Sequence, residues 1–151
     1  MAANKLIITT DLSPESFSAF AVAKEYAKAL NCEIEIVSVL EDPVQAAMVY
    51  AMEYPVFPGI EIQKQLVERV HKELETISKE HFPGMNVKLT VREAQGPVHA
   101  EITSYAKSQN AKLLVISTHG RSGFKGLLIG SVAERVARHA QSPVLIVPCQ
   151  K

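Results

Sequence analysis

Leu113 to Ile116 are four consecutive apolar residues that run into a loop with glycine at 120, 123, 126 and 130. An apolar run with no polar alternation suits a short strand covered on both faces. Ser131 followed by Glu134 fits a capping box, in which serine holds one free helix amide and glutamate reaches back to another. The pattern predicts a helix starting near Val132, with Gly130 and Ser131 at its mouth. Strand, glycine loop and helix form the unit that the rest of the chain must accommodate. A helix mouth offers unpaired N–H groups and the positive end of the dipole, so phosphate binding is one reading of this loop. A plain turn is the other.

The same alternation runs from the start. Lys5 to Thr10 contains the buried-strand core Leu6-Ile7-Ile8, and Asp11 follows at its carboxyl end. Ser13-Pro14 reads as an N-cap and first helical residue, and Phe20, Ala23, Ala27 and Leu30 recur at helical spacing before Asn31 stops the helix. Ile34, Ile36, Val37 and Val39 make a second strand, running into Glu41 and Asp42. From Pro43 to Gly59 no clean period holds, and a loop with a helical turn around Gln45 to Met52 is expected. Its apolar content suits either a ligand cover or partner surface, or an insertion that packs its own side chains.

Ile62, Leu66, Val70, Leu74 and Ile77 then mark one face of a long helix that Pro83-Gly84 ends. Val87, Leu89 and Val91 alternate with polar residues, which predicts a less covered strand at a sheet edge. Gly96-Pro97 opens a helix with Val98, Ile102, Tyr105 and Gln109 on one face and Asn110 at its close. The helix after the glycine loop should run to about His139, and Val144 to Val147 forms a fifth strand, closed by Pro148.

Strands alternating with helices imply right-handed crossovers and a parallel sheet with helices on both faces. The expected fold is α/β: a single-domain, doubly wound, five-stranded parallel sheet in the order 3-2-1-4-5, spanning residues 1–151. In that order the first and fourth strands lie side by side and their loops diverge, opening a crevice where ligands bind. Thr9-Thr10-Asp11 and Ser117-Thr118-His119-Gly120 would line it.

Lys plus Arg number 16 and Asp plus Glu 16, so no overall field draws the chain to nucleic acid or to an anionic membrane. The two cysteines, Cys32 and Cys149, form no CxxC pair, which speaks against a disulfide framework or a zinc site and for a reduced, cytoplasmic protein. No apolar run approaches the ~20 residues that span a bilayer.

The glycine loop is neither G-x-x-x-x-G-K-[ST] nor G-x-G-x-x-G, and Ser122 does not sit in a G-x-S-x-G elbow. The histidines show no paired metal spacing; His71, His81 and His139 read as helical surface residues, while His119 could touch a phosphate or order its loop. Asp11 could bind a nucleotide hydroxyl, hold a metal or accept a phosphoryl group, or it could form an Asx turn or cap. A receiver domain would want further acids at the first and third strand ends; here the flanking residues are Thr9-Thr10 and Arg92-Glu93-Ala94.

Ser117-Thr118-His119-Gly120, nine intervening residues, then Gly130-Ser131, with an early Thr-Thr-Asp and a closing Ser-Pro-Val-Leu-Ile-Val-Pro, resembles the universal stress protein family. The likeness covers essentially the whole chain. The ATP-binding branch carries G-x2-G-x9-G-[ST]; Ser117 stands for the first glycine, and Gly120, Gly130 and Ser131 match. The resemblance implies that Asp11 and the backbone near Ser117 hold a ribose, and that Thr9, Thr10, Val39 and Ile116 border adenine. Gly120, Gly130, Ser131 and Val132 would wrap the phosphates, with Arg121 and Lys125 as countercharge. It implies ATP or AMP as the cofactor, with Mg as an ion that could accompany it, and a homodimer through the Val144–Val147 edge. That edge is an uncharged apolar strand that a monomer would rarely leave bare.

The expected role is a regulatory, stress-response module with at most slow hydrolysis, since no base or nucleophile is assembled in the sequence. Two other readings stand beside it: a dimeric interaction module that binds no nucleotide, and an adenylate-using enzyme with Asp11 on a divalent metal. A bulky residue at Gly130 is expected to abolish binding and leave the fold.

Overall fold

The computed structural model describes residues 3–41, 60–120 and 128–149. Five strands, β1 (Lys5–Thr9), β2 (Glu33–Leu40), β3 (Val87–Glu93), β4 (Leu113–Ser117) and β5 (Val144–Val147), form one sheet in the order β3-β2-β1-β4-β5. Every pairing is parallel, with Ile8 opposite Ile36 on one side and Val115 on the other. Among the described residues four α-helices connect them: α1 (Ser18–Leu30), α2 (Ile60–His81), α3 (Val98–Ser108) and α4 (Ser131–His139). This is the doubly wound α/β fold expected from the alternation.

Period two in the strands divides the core. Leu6, Ile8, Ile34 and Ile36 point to one face and pack on Phe20, Ala23, Leu74 and Phe82 of α1, α2 and the chain just after it. Ile7, Val37, Leu114 and Ile116 point to the other and pack on Ile102, Tyr105, Ala133 and Val136 of α3 and α4. β1 and β4 are buried along nearly their whole length, as continuous apolar strands between two helical layers must be. β3 takes an edge, as its sequence predicts, and none of its residues is fully buried.

The helix stops follow the residues chosen for them. Asn31 and Asn110 adopt the left-handed conformation, at φ 51° and 50°, a region that asparagine tolerates better than most residues. Gly84, at φ 73°, turns the chain after α2.

Several local expectations are corrected. Ser131 is not an N-cap: Gly130 holds that position, Ser131 is the first helical residue, and no side-chain cap bond forms. Glu134 instead pairs with Arg138 at 2.9 Å, one turn on. Pro14 opens a single 3-10 turn, Pro14–Phe17, before α1; Ser13 caps it in position, but its hydroxyl turns to Asp11. Leu66 leaves the predicted apolar face of α2 and is 43% exposed, whereas Val70, Leu74 and Ile77 are buried. His81 is only half-buried at the surface: its ring packs against Phe17 and Phe20, with centroids 4.9 and 5.2 Å away. His71 and His139 are exposed, as expected. The segment Pro43–Gly59 lies outside the described residues, as do Gly123, Lys125 and Gly126.

Among the described residues no helix is long and apolar enough to cross a membrane, and Cys32 and Cys149 are free thiols.

Candidate functional site

The carboxyl ends of β1 and β4 lie side by side at the centre of the sheet, where the strand order reverses. Beyond them the chain turns to opposite faces, toward α1 and toward α4, and this leaves a crevice. Thr9 and Thr10 are buried on the β1 side, and Thr10 donates its backbone N–H to the Val37 carbonyl of β2 at 3.0 Å. The Thr10 hydroxyl lies 2.7 Å from that of Ser16 and accepts the Leu12 N–H at 3.0 Å, tying the turn to the 3-10 segment behind it.

Leu12 has φ 69°, an uncommon backbone state for a branched side chain, directly after Asp11. This turn returns the chain so that Asp11 Oδ1 accepts both the backbone N–H of Ser13, at 3.0 Å, and the Ser13 hydroxyl, at 2.5 Å. Asp11 therefore forms an Asx turn. Its other oxygen, Oδ2, faces across the crevice to Gly120, where any Cβ would collide with it.

The β4 side is held just as closely. Ser117 is buried, and its hydroxyl donates to the carbonyl of His119 at 2.8 Å. The His119 ring places Nδ1 3.0 Å from the Thr118 hydroxyl, a contact that orders the loop. Gly130 donates its N–H to the Thr118 carbonyl at 2.6 Å, so the mouth of α4 rests on the end of β4. A Cβ at Gly130 would come within 2.7 Å of that same carbonyl oxygen, a backbone atom that cannot swing aside. The expectation that a bulky residue there would leave the fold intact is therefore corrected.

The structure thus brings Thr9, Thr10, Asp11, Ser117 and Gly120 to the two lips of one crevice, and seats Gly130 against the β4 loop. Val39 is half-buried at the end of β2, and Ile116 is buried in β4. Ser131 and Val132 are exposed on the first turn of α4. Arg121 lies outside the described residues. Among the described residues no group of three or more His, Cys, Asp or Glu is placed to hold a metal ion.

Two features of the chain escape sequence reasoning. Cys149, just past β5, donates its N–H to the Thr118 hydroxyl at 3.2 Å, and its sulfur lies 3.4 Å from the Glu15 carbonyl. It joins the β4 loop to the 3-10 turn from behind, and no motif marks it. The second is Glu35, 1% exposed in β2, away from the crevice. Burial opposes its ionisation, but hydrogen bonds from Thr90, Tyr105 and Lys5 and the Lys5 charge outweigh burial and hold its pKa at about 2. Oε1 accepts the Tyr105 and Thr90 hydroxyls at 2.6 Å each and faces Lys88 at 3.3 Å, while Oε2 faces the Lys5 ammonium at 3.0 Å.

A five-stranded parallel sheet in this order, with helices on both faces and an aspartate just past β1 facing a glycine just past β4, defines the class of doubly wound α/β domains. The sequence matches the model of the universal stress protein family over residues 3–148, and the chain belongs to that family. Universal stress protein YxiE of Bacillus subtilis is 30% identical over 149 residues, covering 95% of this chain and 98% of its own length. Two solved structures share the fold. The universal stress protein from Archaeoglobus fulgidus in complex with dAMP has a TM-score of 0.65 at 18% identity, with 97% of this chain and 99% of that one covered. A universal stress protein in complex with cAMP has a TM-score of 0.60 at 23% identity, with 99% and 100% covered.

Proposed function

We propose that this chain binds an adenine nucleotide, ATP or AMP, in the crevice between β1 and β4, and works as a regulatory module of the stress response with at most slow hydrolysis. The observation that carries this reading is the apposition of Asp11 and Gly120: a carboxylate and a bare backbone facing one another across the switch point. A carboxylate suits a ribose hydroxyl, and a glycine lets a ligand lie directly on the chain. Two solved structures of the same fold are universal stress proteins in complex with dAMP and with cAMP, which supports an adenine nucleotide as the ligand.

On this reading Asp11 and the backbone at Ser117 hold the sugar, and Thr9, Thr10, Val39 and Ile116 border the base. Gly120, Gly130, Ser131 and Val132 receive the phosphates at the mouth of α4, where backbone amides and the helix dipole favour an anion. Arg121 would add countercharge. The nucleotide supplies the negative charge; the protein supplies position. Each charge-assisted hydrogen bond is worth about 1.5–3 kcal/mol, so a site with several reaches micromolar affinity and loses it when two are removed.

The residues of 1–151 would form one nucleotide-binding domain of a cytoplasmic protein. The β5 edge, where Val144, Leu145 and Ile146 are only partly buried, would pair with a second copy across a two-fold axis. Titration calorimetry with ATP, AMP and GTP, in the presence and absence of Mg, tests the central reading. Heat and thermal stabilisation with the adenine nucleotides are expected. Their absence with all three ligands would leave the interaction-module reading in its place. Sedimentation at micromolar concentration tests the dimer, with a monomer as the outcome against it.

A further inference from the structure

Ser117 stands where the ATP-binding loop pattern has its first glycine, and its hydroxyl is engaged inward: it donates to the His119 carbonyl at 2.8 Å. The Cys149 sulfur lies 3.8 Å from the same oxygen. That carbonyl belongs to the peptide unit that ends in the Gly120 N–H. In a planar trans peptide the C=O and N–H point in opposite directions, and no described peptide bond is cis. Fixing the carbonyl on Ser117 therefore fixes the direction of the Gly120 amide. Ser117 is buried at the end of β4, 6% exposed, and the amide points away from its hydroxyl. Gly120 faces Asp11 there, with no Cβ between them.

We infer that Ser117 is a positioning residue of the crevice: its hydroxyl sets the 119–120 peptide so that the Gly120 N–H is presented to an acceptor oxygen of a bound nucleotide. The inference rests on the nucleotide reading above. A donor aimed in advance costs a ligand no reorganisation of the loop on binding. A glycine at position 117 could not make this contact, so the serine is an added constraint on the loop and not a plug in the pocket. Its small side chain points back onto the backbone and leaves the crevice to the ligand.

The test compares wild type with Ser117→Ala and Ser117→Thr, using ATP and AMP as probes in calorimetry and following the backbone amide of Gly120 by 1H–15N NMR without ligand. Thermal melting confirms that each variant folds. The expected result is an affinity loss of about fivefold in Ser117→Ala, the value of one hydrogen bond. Ser117→Thr, which keeps the hydroxyl, should bind within about twofold of wild type. The Gly120 resonance should move in the alanine variant while those of α3 stay in place. Unchanged affinity in Ser117→Ala, or weaker binding with the Gly120 resonance unmoved, overturns the inference; the alanine arm decides alone if the threonine variant does not fold. A wild type that binds neither nucleotide would sink the nucleotide reading instead. The Gly120 resonance would still decide whether Ser117 orients the peptide.

Discussion

The Asp11 carboxylate lies against Gly120 on the side where any other residue would carry its Cβ. One oxygen of that carboxylate is held by Ser13, so the side chain has little room to retreat. The two candidate roles of Asp11, turn former and crevice wall, are thus carried by different oxygens of the same group. The carboxylate can lie this close to the β4 loop because residue 120 has no side chain.

Gly120→Ala should accordingly act on binding more than on folding. The added methyl displaces a side-chain oxygen, not backbone, and the overpacking should cost about 1 kcal/mol. Nucleotide affinity should fall at least tenfold, because the carboxylate and the 120 amide both shift, about 1.4 kcal/mol or more of binding energy. Calorimetry beside urea denaturation separates the two. A variant that binds as wild type would place the ligand elsewhere.

Gly130→Ala should behave differently, since the new Cβ would stand 2.7 Å from the Thr118 carbonyl oxygen. Relief requires the mouth of α4 to move off the end of β4. The expected loss is about 1–3 kcal/mol of stability. Urea denaturation should show Gly130→Ala less stable than Gly120→Ala; the reverse order would contradict the packing described for the α4 mouth.

The fold was legible because each strand and helix announces itself locally. Leu113 to Ile116 cannot be satisfied except between two layers, and Asn31 and Asn110 mark stops that only a left-handed residue can make. The order of the sheet followed from the strand order common to doubly wound sheets of the flavodoxin-like type, and with it the meeting of Asp11 and Gly120. What failed were competitions between partners. Ser13 and Ser131 both look like caps, yet the Ser13 hydroxyl finds the Asp11 carboxylate and Ser131 enters the helix, because Gly130 is fixed first by the Thr118 carbonyl. Glu35 was invisible for a related reason. A glutamate amid isoleucines reads as one polar step, and nothing nearby in sequence reveals that its partners come from β1, β3 and α3. The sequence shows nothing of Cys149 beyond a lone thiol, since its contacts with Glu15 and Thr118 span more than thirty residues of chain each.

Glu35 couples the stability of the fold to acid pH. Its pKa is lowered from 4.5 to about 2 in the native state, so the unfolded chain takes up its proton first as pH falls. The stability that ionised Glu35 contributes is complete above about pH 4.5 and is lost progressively as the pH drops toward 2. At about 1.4 kcal/mol per pH unit that contribution is about 3 kcal/mol. Urea denaturation from pH 7 down to pH 2 should show this decline in wild type, and Glu35→Gln should lack that component of it. Glu35→Gln should also be less stable at pH 7, because it leaves Lys5 and Lys88 without their shared countercharge.

Within the same cluster the partners should differ in weight according to burial. Tyr105 is buried, and burial and its bond to Glu35 both raise its pKa, so the phenol stays a donor at neutral pH. Tyr105→Phe keeps the ring that packs under the Arg92 guanidinium, 4.8 Å from the ring centroid, and removes only the hydroxyl. A hydrogen bond to a buried charge should cost about 1.5–3 kcal/mol when lost. It should also raise the Glu35 pKa, so that acid destabilisation begins at higher pH than in wild type. Lys88 faces the same Oε1, but its side chain is 58% exposed, and Lys88→Ala should cost less than about 1 kcal/mol. Denaturation of both variants at pH 7, with the acid midpoint of each, checks the ranking. A larger loss from Lys88→Ala than from Tyr105→Phe would mean that the exposed charge, and not the buried hydroxyl, keeps Glu35 ionised.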